Sequence, residues 1–215
     1  TVVSTESQTQ GKGQRGSGWT SEAGKNLAFS VLYNQKIEEI SSLFTLNIVV
    51  ALSVVEALKT VSNLNFAIKW PNDILAENKK IAGILIENTF KNQNEVQSII
   101  GIGLNVNQSQ FENLPQASSL FLLENQLFDR NALLISIVNR LEFNLNQLEN
   151  LKEDYFWNTY HAILFKKEVV STFESALGNR FVGKIQKVTK DGKLEVLLED
   201  DSVTFFDVKE VKMLY

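Results

Sequence analysis

The sequence predicts an α/β (α+β) fold in which a sheet is covered by helices and followed by a small β-barrel. Three observations carry the prediction. Short apolar runs rich in β-branched residues occupy 66–70, 81–86 and 99–106. Apolar residues recur at helical spacing after Asp129, and beyond about Lys166 the chain turns to short strands punctuated by turn residues. The domain division that follows is 1–165 for the larger unit and 166–215 for the smaller.

The elements follow in order. Residues 1–5 are β-branched and read as a strand. The glycine-rich run 11–18 breaks any regular pattern before apolar residues resume at 27–33, giving strand, loop, strand. Ser41 or Ser42 is placed to cap a helix running through Leu58. That stretch, the most apolar in the chain, is interrupted by Thr45, Asn47, Ser53 and Glu56, so it reads as a buried helix and not as a bilayer span. Pro71 stops the strand at 66–70. From Asp129 as N-cap, Leu134, Ile137, Val138, Leu141, Leu145 and Leu148 form one stripe on a long helix that covers a face of the sheet. A second helix over 152–165 carries Phe156, Trp157 and Tyr160 as packing residues and His161 as a structural one. In the last fifty residues, Asp191-Gly192 and Glu199-Asp200-Asp201 mark turns.

The bulk properties exclude several function classes. With 215 residues the chain buries a core without staples, and having no cysteine and one histidine it has no disulfide framework and no cysteine-based zinc site. This composition fits a reducing, cytoplasmic setting. A net charge of −4 gives no global reason to bind nucleic acid. No charged segment followed by an apolar one opens the chain, so neither secretion nor a membrane is expected. Because the chain opens in what reads as a strand and its only methionine is Met213, an upstream piece is expected to be missing.

Two clusters can carry chemistry. Gly11-Lys12-Gly13-Gln14-Arg15-Gly16 formally matches GxGxxG, but another strand follows it instead of a helix. Gly24-Lys25 likewise fails as a Walker A loop, having Trp19 where the first glycine belongs. Exposed backbone N–H groups beside Lys12 and Arg15 can still surround an anion, although a solvated surface loop has the same composition. In the second cluster, Lys69-Trp70-Pro71-Asn72-Asp73, a charged pair stands at a strand terminus. A hairpin turning at Glu77-Asn78 would return Lys80 to the same region, where the alternative is an ordinary surface ion pair. Gly83 inside an apolar run suggests close approach of something to the backbone, and Asn105 needs partners if buried.

GKGQRGSGW at 11–19, KWPND at 69–73, KKIAGIL at 79–85 and GIGLNV at 101–106 occur in the order and spacing of the biotin-protein ligase catalytic domain, which the chain resembles over nearly its whole length. The resemblance implies a mixed sheet akin to class II aminoacyl-tRNA synthetases, followed by an SH3-like barrel. It implies that ATP and biotin are substrates, with Mg2+ accompanying the nucleotide, and that biotinyl-5′-AMP is formed and passed to a lysine of a biotin carboxyl carrier domain. By match, Lys80, Arg15 and Lys12 are the catalytic cations. Gln8, Gly11, Lys12, Gly13, Gln14, Lys80 and Gly83 line the biotin side. Lys12, Arg15, Trp19, Lys69, Asn72, Asp73, Lys80 and Asn105 line the ATP side, with Trp19 covering the adenylate and Asp73 near the metal. The resemblance also allows a homodimer. Gln14 departs from the arginine usual at its position, and the Ser/Thr-Asn biotin contact of the family would lie before Thr1. The alternatives are a lipoate-protein ligase-like enzyme and a non-catalytic biotin-binding or regulatory protein.

Overall fold

A computed structural model describes residues 1–36, 43–92, 94–149 and 153–215, apart from the side chains of Arg15 and Glu149. The expected helix caps Ser41 and Ser42 lie outside the described residues, as does Lys152.

Six strands form the main sheet: β1 (Val2–Thr5), β4 (Leu27–Lys36), β5 (Phe66–Lys69), β6 (Asp73–Ala76), β7 (Lys79–Phe90) and β8 (Glu95–Leu104). Between β1 and β4 lie β2 (Gly11–Lys12) and β3 (Gly18–Trp19), which pair only with each other. The main sheet has the order β1-β4-β8-β7-β6-β5. The expectation of a mixed sheet is corrected: every ladder joining these strands is antiparallel. Parallel pairing is confined to single bridges of Ile68 with Leu164 and Lys80 with Ala117. Short turns link β5 to β6, β6 to β7 and β7 to β8, and turns of that length return the chain antiparallel.

Alternation decides what each face does. On β8, Val96, Ser98, Ile100, Ile102 and Leu104 are buried beneath the helices, so Ile99, Gly101 and Gly103 face the other way. Helix α1 (Leu43–Leu58) is buried almost all round, between β5–β7 and the helices α3 (Arg130–Glu149) and α4 (Glu153–Ala162). Its polar residues all have partners. Thr45 donates to Glu153, Asn47 donates to the Pro71 carbonyl, Ser53 accepts from Asn144, and Glu56 accepts from Asn144. This is how an interrupted apolar stretch becomes a core helix. Asp129 caps α3 as expected, accepting from the backbone of Asn131 and Ala132. Ile137, Leu141 and Leu145 are buried on the stripe, joined by Leu133, and Phe156, Trp157 and Tyr160 are core residues. A short helix, α2 (Leu120–Glu124), is capped by Ser119.

The C-terminal strands are β9 (Val170–Ser175), β10 (Arg180–Val188), β11 (Leu194–Leu198), β12 (Val203–Phe206) and β13 (Val211–Leu214). They form a second antiparallel sheet of order β12-β11-β10-β9-β13. Its buried residues Phe173, Ile185, Val196 and Val211 belong to the same contiguous apolar core as the main sheet. The Trp70 indole N–H donates to the Gly192 carbonyl at 2.9 Å, a buried tie between the two sheets.

Candidate active site

The face of the main sheet opposite the helices floors a cavity of about 960 Å³. Strand register places one residue of each strand in a row across this floor: Thr5, Ala28, Gly103, Gly83, Asp73 and Lys69. The middle of the row is therefore small and apolar, and one end is charged. A neighbouring row runs Val3, Ser30, Gly101 and Leu85. Gly101 and Gly103 have a sequence signal, glycine at period two against Ile100 and Ile102, that the sequence analysis did not use.

The charged end is built by the β5–β6–β7 meander. Glu77 and Asn78 both take left-handed backbone in the β6–β7 turn, and a register shift follows, so Lys80 returns beside Asp73 as expected. Lys80 Nζ lies 2.6 Å from one oxygen of Asp73, and Lys69 Nζ lies 3.8 Å from the other. These side chains are largely shielded from solvent, at 33% exposed for Lys80 and 16–17% for Asp73 and Lys69, unlike an ordinary surface pair. Burial pushes the Lys69 ammonium below the usual lysine pKa; Asp73 opposes the shift, while Lys80 and Lys212 add to it. Asn72 is locked to β7: its Nδ2 donates to the Ile84 carbonyl at 2.5 Å and its own carbonyl accepts from Ile84 N at 3.0 Å. It lines the cavity with its amide already engaged.

Over the floor stands the glycine hairpin. β2 pairs with β3 in register Gly11 to Trp19 and Lys12 to Gly18, and the tip closes with Gly13 N donating to Ser17 O at 2.6 Å. A side chain at Gly11 would collide with the Trp19 carbonyl, and Gly16 has φ +84°, so the motif needs its glycines for the turn itself. Trp19 projects from this hairpin onto the floor. A Cβ on Gly103 would come within 2.5 Å of its indole, and one on Gly83 within 3.3 Å. The contact demands a glycine at 103 and makes any side chain at 83 a tight fit. Lys80 Nζ sits 5.7 Å from the indole centroid, and the Trp19 N–H is buried with no partner among the described residues.

Gln8, Lys12, Gly13, Gln14, Trp19, Lys69, Asn72, Asp73, Lys80 and Gly83 all line this one cavity. Gly11 stands behind it as part of the hairpin. The Arg15 side chain lies outside what is described. Asn105 stands apart from these: it follows β8, is 3% exposed, donates through Nδ2 to the Ser118 carbonyl at 3.0 Å, has no partner for Oδ1 among the described residues, and is not part of the cavity lining. The chain enters the loop to Ser118 immediately after β8, which turns the side chain into protein. Lys212 and Glu174 also reach the cavity, from the second sheet, and no motif in the sequence marks them. Among the described residues no group of three His, Asp or Glu side chains could hold a metal, and both Asp73 oxygens face lysines.

With this geometry in view, comparison with known proteins is informative. Residues 1–105 match the model of the biotin/lipoate A/B protein ligase family. The chain is 28% identical over its whole length to the bifunctional ligase/repressor BirA of Bacillus spizizenii, covering 64% of that protein. It is 32% identical over 69% of its length to the biotin--[acetyl-CoA-carboxylase] ligase of Mycobacterium tuberculosis, covering 55% of it. The chain is thus similar to the biotin/lipoate A/B protein ligase family over its first 105 residues. Among solved structures, the biotin protein ligase from Aquifex aeolicus in complex with biotin and ATP superposes with a TM-score of 0.82 at 26% identity, over 99% of this chain and 88% of that one. The curated relatives are longer: the chain spans 64% and 55% of the two named here and 45% of the BirA of Escherichia coli.

Proposed function

We propose that the protein is a biotin-protein ligase: it activates biotin with ATP to biotinyl-5′-AMP and transfers the biotinyl group to a lysine of a biotin carboxyl carrier domain. The observation that carries this reading is the row itself, a glycine floor ending in Lys80, Asp73 and Lys69 beneath the Lys12 hairpin. In the first step a biotin carboxylate oxygen attacks the ATP α-phosphorus and the bond to the β-phosphate breaks, releasing pyrophosphate. Two anions must meet, so fixed cations stabilise both the encounter and the charge growing on phosphorus. Lys80 is held at the floor's edge by Asp73, and Lys12 stands on the hairpin above; Gly83 and Gly103 let the Trp19 indole lie close on the floor. In the second step the carrier amine attacks the acyl carbon, AMP leaves and the amine loses its proton. Only about one lysine in several thousand is neutral at pH 7, so orientation against the reactive anhydride supplies much of the rate.

Mg2+ would accompany ATP, with Asp73 the carboxylate that could reach it beside the phosphates, and the same carboxylate holds Lys80 and Lys69. The division into 1–165 and 166–215, with the second unit as an SH3-like barrel, is part of the same reading and is supported by the separate sheets. So are a cytoplasmic location and a homodimer. No helix among the described residues is long and apolar enough to cross a membrane, and Val3, Leu32 and Ile99 leave an exposed apolar patch on the sheet.

The test is biotin-dependent release of pyrophosphate from ATP, followed by transfer to a carrier domain, with lipoate as control acid. Lys80→Ala should lower the first step about 10²- to 10³-fold with the fold retained. Release driven equally by lipoate would overturn the choice of acid, and biotin binding without any release would make the protein a binder.

A further inference from the structure

Tyr215 follows β13 of the second sheet, yet it stands at the charged end of the main-sheet row. Lys69 Nζ lies 5.4 Å from its ring centroid, within cation–π range. The edge of Phe165 braces the ring, with centroids 5.2 Å apart and planes at 66°. Its backbone carbonyl accepts from the Gln116 side chain. Gln116 in turn belongs to the strap that pairs with Lys80, where Lys80 N donates to the Gln116 carbonyl at 2.7 Å and Ser118 N to the Lys80 carbonyl at 2.9 Å. The tyrosine is thus tied to both lysines of the site by separate routes. Core filling does not account for it, because the residue remains 36% exposed.

We propose that Tyr215 is a positioning residue of the adenylation site: its ring covers the Lys69 ammonium and holds it against Asp73. The inference rests on the ligase reading for its purpose but not for its geometry. Lys69 faces Asp73 from β6, Lys80 from β7 and Lys212 from β13, one carboxylate against two further ammonium groups. Left to repulsion, Lys69 would swing to solvent. An aromatic face attracts the ammonium without supplying a second anion, so the site keeps the net positive charge that a polyphosphate needs. Burial, with the Asp73 charge adding to it, pushes the Tyr215 phenol up to about 12, so the ring stays neutral in this role. The second sheet thereby contributes to the site through Tyr215 as well as Lys212.

The experiment uses the full chain with Tyr215→Phe, Tyr215→Leu and Tyr215→Ala. Lys69 is titrated in the ligand-free protein by NMR of 13C-labelled lysine, assigned with Lys69→Arg, and KM is measured for ATP and for biotin in pyrophosphate release. Phe should reproduce the wild-type Lys69 midpoint and ATP KM. Leu and Ala should let water reach the ammonium, moving its midpoint up toward the ordinary lysine value, and should raise KM for ATP about three- to tenfold with KM for biotin unchanged. Leu keeps an apolar contact with Phe165, so the comparison survives if Ala fails to fold. An unchanged Lys69 midpoint in Leu, or a Phe variant as altered as Leu, overturns the proposal. A wild-type protein that releases no pyrophosphate would defeat the ligase reading instead, and the Lys69 titration would still decide the positioning role.

Discussion

The 66–84 segment enters the cavity as laddered strands, whereas the 8–19 segment enters it as a hairpin of two-residue strands. In the first, Asp73 is paired to both β5 and β7, Lys80 pairs with Leu75 and bridges to Ala117, Lys69 on the edge strand pairs with Asp73, and Asn72 is hydrogen-bonded twice to Ile84. In the second, the hydrogen bonds of Gly13, Gln14 and Ser17 stay within the loop, most of the loop is exposed, and Trp19 is its main anchor to the floor. The contrast separates two tasks. A cation that must meet a phosphate at a fixed point is best placed by the sheet. A cover that admits two substrates and then excludes water from a hydrolysable adenylate is best built from segments of low local stability.

The hairpin gives the largest effect by which to break this comparison. Gly11→Ala places a methyl against the Trp19 carbonyl and must open the β2–β3 pairing. Misplacing the cover should lower adenylate formation on the order of 10²-fold, while thermal unfolding is unchanged because the loop adds little to the core. Calorimetry alongside pyrophosphate release checks both halves. A fall in Tm comparable to the loss of rate would mean that the hairpin is structural, and the distinction between the segments would collapse.

A smaller effect comes from the laddered side. Asn72→Ala removes the bond to the Ile84 carbonyl and leaves that acceptor without its side-chain donor. Stability should fall by about 1 kcal/mol, which for a chain of this size is roughly 2–4 °C in Tm. The signature is that stability and activity change together, as they should not for Gly11→Ala. An Asn72→Ala protein with wild-type Tm and low activity would assign Asn72 to the ligand instead of to the scaffold.

These two segments were also the most legible parts of the sequence, for the same physical reason: each is local. A turn at Glu77-Asn78 between β-rich runs is enough to bring Lys80 back to Asp73, and interleaved glycines are enough to mark a tight loop. What depends on distant partners was not legible. Asn105 sits in an apolar run, and which backbone carbonyl its Nδ2 meets, that of Ser118 across the following loop, is not written in the run itself. Lys212 and Tyr215 reach the site only because the second sheet docks through contacts such as Trp70 with Gly192, across more than a hundred residues. The helix stripe after Asp129 was readable from periodicity, whereas the antiparallel order of the sheet followed from connections that a family likeness described less well than the turns themselves.

Away from both segments, the seam between α4 and β10 has its own dependence on pH. Neither segment contains a histidine; the only one in the chain is His161, on α4, with Nε2 3.1 Å from both the amide nitrogen and the carbonyl oxygen of Val188 in β10. Burial lowers its pKa below 6.5, outweighing the contact with Val188 that raises it, and Lys167 and Lys187 add to the lowering. A depressed folded pKa means that the unfolded chain binds more protons in the window from 6.5 down to the folded value. Stability is therefore intact above 6.5 and is lost as pH falls through that window. The ring is only half buried and its charge partly screened, so this should be the smallest of the three effects. Unfolding midpoints measured from pH 7.5 to 5 should decline more steeply for the wild type than for His161→Gln, with the difference opening below 6.5. Parallel curves would show that the seam does not sense the proton, and any acid sensitivity would then belong to the carboxylates of the two segments.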